Sequence, residues 1–410
     1  MNVQEIKKDF PIFTHHPDLV YVDSAASSLT PKCVIEKTAE YYEQYGVNIS
    51  RGVYHISEKA TEEYEETRDV VARFINAARE EVIFTSGTTA AINLVAQSFG
   101  KSVFSHDDTI VMTAMDHHAS FVPLQMLAKE KNVQLHILPI DENGLLKRDC
   151  FNHMVTKHTK VLALPYVSNV LGTINPIKEL VKHARDINAD IVVLVDAAQA
   201  VPSRKIDVRD LGCDFLVFSA HKMCGPTGVG VLWGKKEFLE KMPPVQFGGE
   251  MVQMVSAQET TFRKTPHKFE AGTPNIAGVI AFKEAIAYLQ KIGLENISAH
   301  EQKLLHYAVE KFERIFGNDL TLYGPKNLQK RGNIMSFTFK KYHPHDIAQI
   351  IDERKNVCVR AGQHCAMPLH NDYLHIPATC RASFYIYNDR SDIDLLVEGL
   401  QEVDSILSQR

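Results

Sequence analysis

The sequence predicts an α/β protein: a large unit on a mostly parallel sheet between helices, then a smaller α+β unit. Three features carry this expectation. From about Ala60 to Trp233, short apolar runs alternate with helical patterns, the mark of strands joined by helical crossovers. One run, Ile191–Val195, is apolar at every position, so both faces of that strand must be covered. Beyond about Gly293 the alternation gives way to long helices and short strands of mixed character.

The elements follow in order. Ala60–Ile75 reads as a charged amphipathic helix, Val82–Thr85 as a short strand and Ala90–Phe99 as a helix. Thr109–Met112 is the next strand and Ser120–Lys131 the next helix. Strands at Gln134–Pro139 and Val161–Leu164 precede a helix at Ile177–Ile187. Ile191–Val195, Phe215–Phe218 and Val229–Trp233 complete the apolar strands. In the second unit, a helix at Ser298–Phe316 leads into Asn333–Phe339, a strand of alternating character. A helix near Pro344–Arg354, short strands near Val357–Arg360 and Arg381–Ser383, and an amphipathic helix at Ile393–Leu407 follow. The expected division is an N-terminal segment at 1–20, a large domain at 21–293 and a small domain at 294–410.

Composition removes several functions. The 410 residues are 45% hydrophobic, enough for a sizeable core and for two domains. The charge is −5, with both signs interspersed and no basic stripe, so nucleic acid is not an expected partner. No apolar run reaches bilayer-spanning length, and the opening MNVQEIKKDFPIF lacks the apolar stretch and cleavage site of a signal peptide. A soluble, cytoplasmic protein without membrane partners is expected. The seven cysteines form no CxxC pair, and their spacings fit neither a zinc site nor a disulfide framework, so no metal is expected.

Ligands in open α/β sheets bind beyond the carboxyl ends of the strands, so the residues after each strand are the candidates. SGTTAAIN follows Val82–Thr85, and Gly87, Thr88 and Thr89 bring N–H groups, hydroxyls and a helix N-terminus to one point, as a phosphate requires. Alone, this is equally a Thr N-cap. MDHHAS follows the next strand; adjacent histidines point apart, so one could stack on a flat ring. PYVSNVLGT offers the Asn169 amide, or simply a turn. Asp196, at the end of the most apolar strand, is costly to bury without a partner such as a protonated pyridine nitrogen, although a turn cap would also serve. In FSAHKMCGPTGVGVLW, Lys222 lies between two buried strands, where lost solvation lowers an amine's pKa and makes it nucleophilic. In order, these are a phosphate cradle, a stacking histidine, an amide, an acid for a ring nitrogen and a lysine for an aldehyde. Together they are the parts that hold pyridoxal 5′-phosphate.

At this point the sequence resembles a fold-type I pyridoxal-phosphate enzyme, and more narrowly the cysteine desulfurases of the class V aminotransferase group. The resemblance rests on GTTxxIN, HHA, SNVLGT, D-x-A-Q, S-x-HKxxGPTGxGVL and EAGTPN at Glu270–Asn275. RAGQHCAMPL and CRASFYIYN narrow it to the SufS-type, or group II, branch. It implies a seven-stranded, mostly parallel sheet, with the N-terminal segment packing on the small domain. It implies that Lys222 attaches the cofactor, that Asp196 bonds its ring nitrogen and Gln199 its phenolic oxygen, and that His117 stacks on the ring and acts in proton transfer. Thr88, Thr89, Ser219 and His221 would bind the phosphate, and Thr273 the phosphate of the partner subunit in an obligate homodimer. Asn169 and Arg381 would hold the carboxylate of L-cysteine, Arg360 would flank the nucleophile loop, and Cys365 would accept sulfur as a persulfide. The implied enzyme is a sulfurtransferase that releases L-alanine and feeds a SufE-like or SufU-like acceptor for iron–sulfur cluster assembly.

The chain departs from that branch at Ser50 and Tyr54, where histidines are usual, at Ala90, where a glutamate is usual, and by one extra residue between Cys365 and Arg381. Cys224, Cys358 and Cys380 read as structural, and YHPHD at Tyr342–Asp346 as a surface helix start. Two other readings compete: a selenocysteine lyase, cysteine sulfinate lyase or aminotransferase on the same cofactor, and a scaffold protein that keeps only the fold.

Overall fold

The computed structural model describes residues 1–409. Seven strands form the large sheet: β1 (Val82–Thr85), β2 (Thr109–Thr113), β3 (Gln134–Leu138), β4 (Thr159–Pro165), β5 (Val192–Asp196), β6 (Phe215–Ser219) and β7 (Gly230–Gly234). Their spatial order is β1-β7-β6-β5-β4-β2-β3. Only β7 runs against its neighbours β1 and β6; the other pairs are parallel. Alternation at a period of two explains the all-apolar β5 and β6. Val193, Val195, Leu216 and Phe218 face one core, whereas Val192, Leu194, Phe215 and Val217 face another on the opposite side.

Helices cover both faces. Toward the first core lie α1 (Lys32–Gln44), α2 (His55–Phe74) and, further along the chain, the helix Ile276–Ile292. Toward the second lie α3 (Thr88–Val95) and α4 (His118–Lys131). The helices at Lys32–Gln44 and Ile276–Ile292 are absent from the sequence expectations, for opposite reasons. α1 follows Pro31 with no side-chain cap and fully buries only Val34 and Tyr41. The helix at Ile276–Ile292 buries every residue from Ile276 to Phe282, so no polar face marks its period. α2 begins at His55 rather than Ala60, because its first turn exposes Ile56 and buries Ser57, the reverse of an amphipathic pattern.

Four antiparallel strands form a second sheet: β8 (Leu320–Tyr323), β9 (Ile334–Phe339), β10 (Arg360–Gly362) and β11 (Thr379–Ser383), in the order β8-β9-β11-β10. Met335, Phe337 and Phe339 of β9 pack with Cys380 and Ala382 against helices at Leu294–Phe316, Pro344–Lys355 and Arg390–Leu407. The opposite face of β9 meets the large lobe, where Ser336 Oγ donates to the carbonyl of Val170 at 2.6 Å. The single strand expected at Val357–Arg360 is two. Val357–Cys358 pairs in parallel with Val20–Tyr21, and β10 pairs separately with β11. The first residues also touch the small lobe, with Lys7 Nζ 3.2 Å from Asp392. Among the described residues no helix is long and apolar enough to cross a membrane.

Candidate active site

The carboxyl ends of β1, β2, β4, β5 and β6 open onto one cavity of about 330 Å³. Thr88, Thr89, His117, Asn169, Asp196, Gln199, Ser219, His221 and Lys222 line it from the large lobe. Arg360, Cys365 and Arg381 close it from the small lobe. Thr273 is exposed and does not line this cavity.

The anion cradle differs in detail from the expectation. Thr88 N–H is not free: it donates to Ser219 Oγ at 2.8 Å, and the two hydroxyls are 2.7 Å apart. The helix start is thereby pinned to the end of β6. A Cβ at Gly230 would lie 2.4 Å from Gly87 Cα, so only glycine lets β7 pass this close. The N–H groups of Thr89 and Ala90 lack acceptors among the described residues, as expected in a helix first turn. His221 sits beside them with its backbone carbonyl accepting from Ser28 N–H and its Nδ1 3.3 Å from Ser27 Oγ. Burial, and then the Lys222 charge, lower its pKa to about 4.

Asp196 ends β5 with Oδ1 accepting from Ala198 N–H at 2.9 Å; Oδ2 has no partner among the described residues. Burial raises its pKa, with the Lys222 charge opposing. Burial likewise lowers the pKa of Lys222, opposed by the Asp196 charge. The Lys222 amine makes no hydrogen bond or ion pair among the described residues. His117 caps α4, its Nδ1 accepting from Ala119 N–H at 3.0 Å. That bond leaves the proton of the neutral ring on Nε2. Burial, then the Lys222 charge, bring its pKa to about 3. Gln199 Nε2 donates to the carbonyl of Ala25 at 2.7 Å, which fixes the amide at the cavity wall.

Arg381 is 2% exposed. Its Nη1 donates to the carbonyl of Asn169 at 2.9 Å and its Nη2 to Asp23 Oδ1 at 3.0 Å. Its Nε is buried without a partner. Arg360 lies 4.0 Å from the other Asp23 oxygen. Asp23 therefore orients both arginines, and sequence reasoning missed it. Ala25, Ser27 and Ser28 were missed as well; the small residues of DSAASS, which allow close backbone approach, were the available signal.

Cys365 is the only exposed cysteine among the described residues; Cys213, Cys224 and Cys380 are buried and Cys358 half-buried. Cys365 and His364 have φ of 56° and 50°, both left-handed. Asn169 Nδ2 donates to the His364 carbonyl at 2.7 Å, so this amide is partly committed to the loop rather than wholly offered to a ligand. The two histidines of the pair separate as expected: the His117 and His118 rings are 6.4 Å apart, and only His117 lines the cavity.

Three kinds of unmet group thus face one another: an unpaired amine, a carboxylate oxygen without a donor, and a pair of N–H groups at a helix start. Pyridoxal 5′-phosphate, with an aldehyde, a protonatable ring nitrogen and a phosphate, matches all three.

The chain is similar to known proteins over nearly its whole length. The model of the class V aminotransferase family matches residues 20–396. A probable cysteine desulfurase of Halalkalibacterium halodurans is 47% identical over 406 residues, covering 98% of each chain. A cysteine desulfurase of Haloferax volcanii is 42% identical, over 98% of this chain and 96% of that protein. Among solved structures, the apo cysteine desulfurase of Thermococcus onnurineus matches with a TM-score of 0.92 and 38% identity, over 98% and 97% of the two chains. That of Escherichia coli, an S-sulfonic acid form, matches with a TM-score of 0.91 and 33% identity, over 99% of each.

Proposed function

The chain belongs to the class V aminotransferase family, and from that premise we propose that it is a SufS-type cysteine desulfurase, converting L-cysteine to L-alanine and passing sulfur to an acceptor protein. One observation carries this reading: Lys222, Asp196, Arg381 and the exposed Cys365 line the same cavity.

Lys222 would hold pyridoxal 5′-phosphate covalently, Asp196 its ring nitrogen and Gln199 its phenolic oxygen, with His117 against the ring. Thr88, Thr89, Ser219 and His221 would hold the phosphate. When bound, the cofactor supplies an electron sink that loosens the bonds around the substrate's Cα. Arg381, aided by Asn169, would hold the substrate carboxylate; Nη1 and Nη2 each keep a second N–H beyond their bonds to Asn169 and Asp23. Once substrate has displaced it from the cofactor, Lys222 would be the base that takes the proton from Cα; burial lowers its pKa, in the direction that role needs. His117 carries its ring proton on Nε2, the nitrogen left for proton transfer. The Cys365 thiolate bonds to the substrate sulfur as the Cβ–Sγ bond breaks. The electron pair of the broken bond stays with the carbon fragment, which is protonated and leaves as L-alanine.

An obligate homodimer belongs to this reading, with Thr273 at the phosphate of the partner subunit. Val53 is 93% exposed and Phe247 70%, and Arg51 Nε lies 3.5 Å from Glu250, which joins these two apolar stretches into one face. The exposed Cys365 favours delivery to a docked SufE-like or SufU-like acceptor for iron–sulfur cluster assembly. The test is Cys365→Ala with L-cysteine: the variant should lose protein-bound sulfur and L-cysteine turnover. Full retention of L-cysteine activity would instead favour a lyase that needs no protein thiol.

A further inference from the structure

We propose that His118, the second histidine of the pair, is a positioning residue that fixes the Cys365 loop over the cavity. The proposal deepens the desulfurase reading and rests on it. Two consecutive non-glycine residues, His364 and Cys365, are left-handed, a conformation that L side chains disfavour. Such a turn persists only where its surroundings hold it. From the small lobe, buried His364 anchors it to Thr379 Oγ1 at 2.8 Å, but Cys365 and Met367 are both exposed.

The large lobe holds it at three points. Asn169 Nδ2 donates to the carbonyl of His364 at 2.7 Å. His118 N–H donates to the carbonyl of Cys365 at 2.7 Å. Met367 N–H donates to His118 Nε2 at 3.0 Å. Two of the three therefore belong to His118. As the first residue of α4, it has a backbone N–H with no partner inside the helix, which suits it to an outside carbonyl. Its Nε2 can accept only as a lone pair, so the ring proton lies on Nδ1. The adjacent histidines thus divide the work: His117 faces the cavity, and His118 grips the loop that carries the thiol. Losing the Nε2 contact frees the stretch just past Cys365, and an ångström of displacement at a reacting atom can slow a step by up to about 10²-fold.

Two variants test this in the cofactor-loaded protein. His118→Phe keeps a ring and loses the acceptor, whereas His118→Gln offers an amide oxygen near the same place. The first measurement is amide hydrogen exchange at Met367. His118→Phe should speed it roughly five- to tenfold, the loss of one hydrogen bond, and His118→Gln should stay near wild type. The second is rapid-quench mass spectrometry of the Cys365 persulfide formed from L-cysteine. His118→Phe should slow its formation roughly tenfold or more, with L-cysteine affinity within about twofold of wild type. Unchanged Met367 exchange and persulfide rate in His118→Phe would overturn the proposal, as would a Gln variant as impaired as the Phe variant. If no variant, nor the wild type, forms a persulfide at Cys365, the desulfurase reading falls, and the exchange data still decide whether His118 holds the loop.

Discussion

On the large-lobe wall of the cavity, the functional side chains follow the ends of buried parallel strands; on the opposite wall, Cys365 sits on an exposed left-handed turn. Asp196 ends a strand whose residues alternate between two apolar cores. Cys365 depends on three hydrogen bonds from the other lobe. The contrast has a physical reason. Holding a flat charged molecule calls for rigid, pre-aimed groups, and strand ends provide them. A thiol that takes sulfur from one partner and gives it to another has to reach solvent, which a strand end inside a sheet cannot do.

The largest test of this contrast removes the amine of the rigid wall. Lys222→Ala should lower L-alanine formation by on the order of 10²–10⁴-fold, measured as product per turnover. A loss below tenfold would place the proton transfer elsewhere. Next comes the seam where the walls meet. Arg381→Lys loses the planar fork that spans Asn169 and Asp23, so KM for L-cysteine should rise roughly 10- to 100-fold with a smaller change in kcat. An unchanged KM would remove Arg381 from the carboxylate site.

A smaller effect concerns the packing between lobes. Glu301 is 4% exposed, accepts from Asn333 Nδ2 at 2.8 Å, and has its pKa raised by burial to about 8, with Ser203 and then Arg204 of the large lobe opposing. The unfolded chain ionises Glu near 4.5, so the folded protein binds the extra proton between pH 4.5 and 8 and loses stability as pH rises through that window. Glu301→Gln cannot ionise. Its stability relative to wild type should improve by on the order of 3–4 kcal/mol from pH 5 to pH 8, read by urea denaturation of the cofactor-free proteins. A difference independent of pH would contradict the buried acid. The smallest effect is expected at Cys224, which is buried in the core of the large lobe. Cys224→Ala should cost about 1 kcal/mol of stability and leave sulfur transfer intact, since its thiol does not line the cavity.

The same contrast explains what the sequence disclosed. Strand ends were legible because a run such as Ile191–Val195 marks a buried strand, and a polar residue after it stands out. The N-terminal contribution was not, because Asp23 and Ala25 act through contacts with Arg381 and Gln199, 358 and 174 residues distant in the chain. Side by side, His117 and His118 look alike in sequence; only the turn into α4 sends one to the cavity and the other to the loop. The bond from Thr88 N–H to Ser219 was hidden in the same way, since Ser219 comes from another strand end. The helix at Ile276–Ile292 escaped because burial on all sides erases amphipathic periodicity.

The central claim is that sulfur from the substrate lands on the thiol of the exposed wall. Brief exposure of the cofactor-loaded protein to L-cysteine, followed by alkylation and peptide mass spectrometry, maps which of the seven cysteines gains a sulfur atom. The expected result is one added sulfur on Cys365, in step with the L-alanine formed. Sulfur on a different cysteine, or L-alanine released with no sulfur on Cys365, would contradict it.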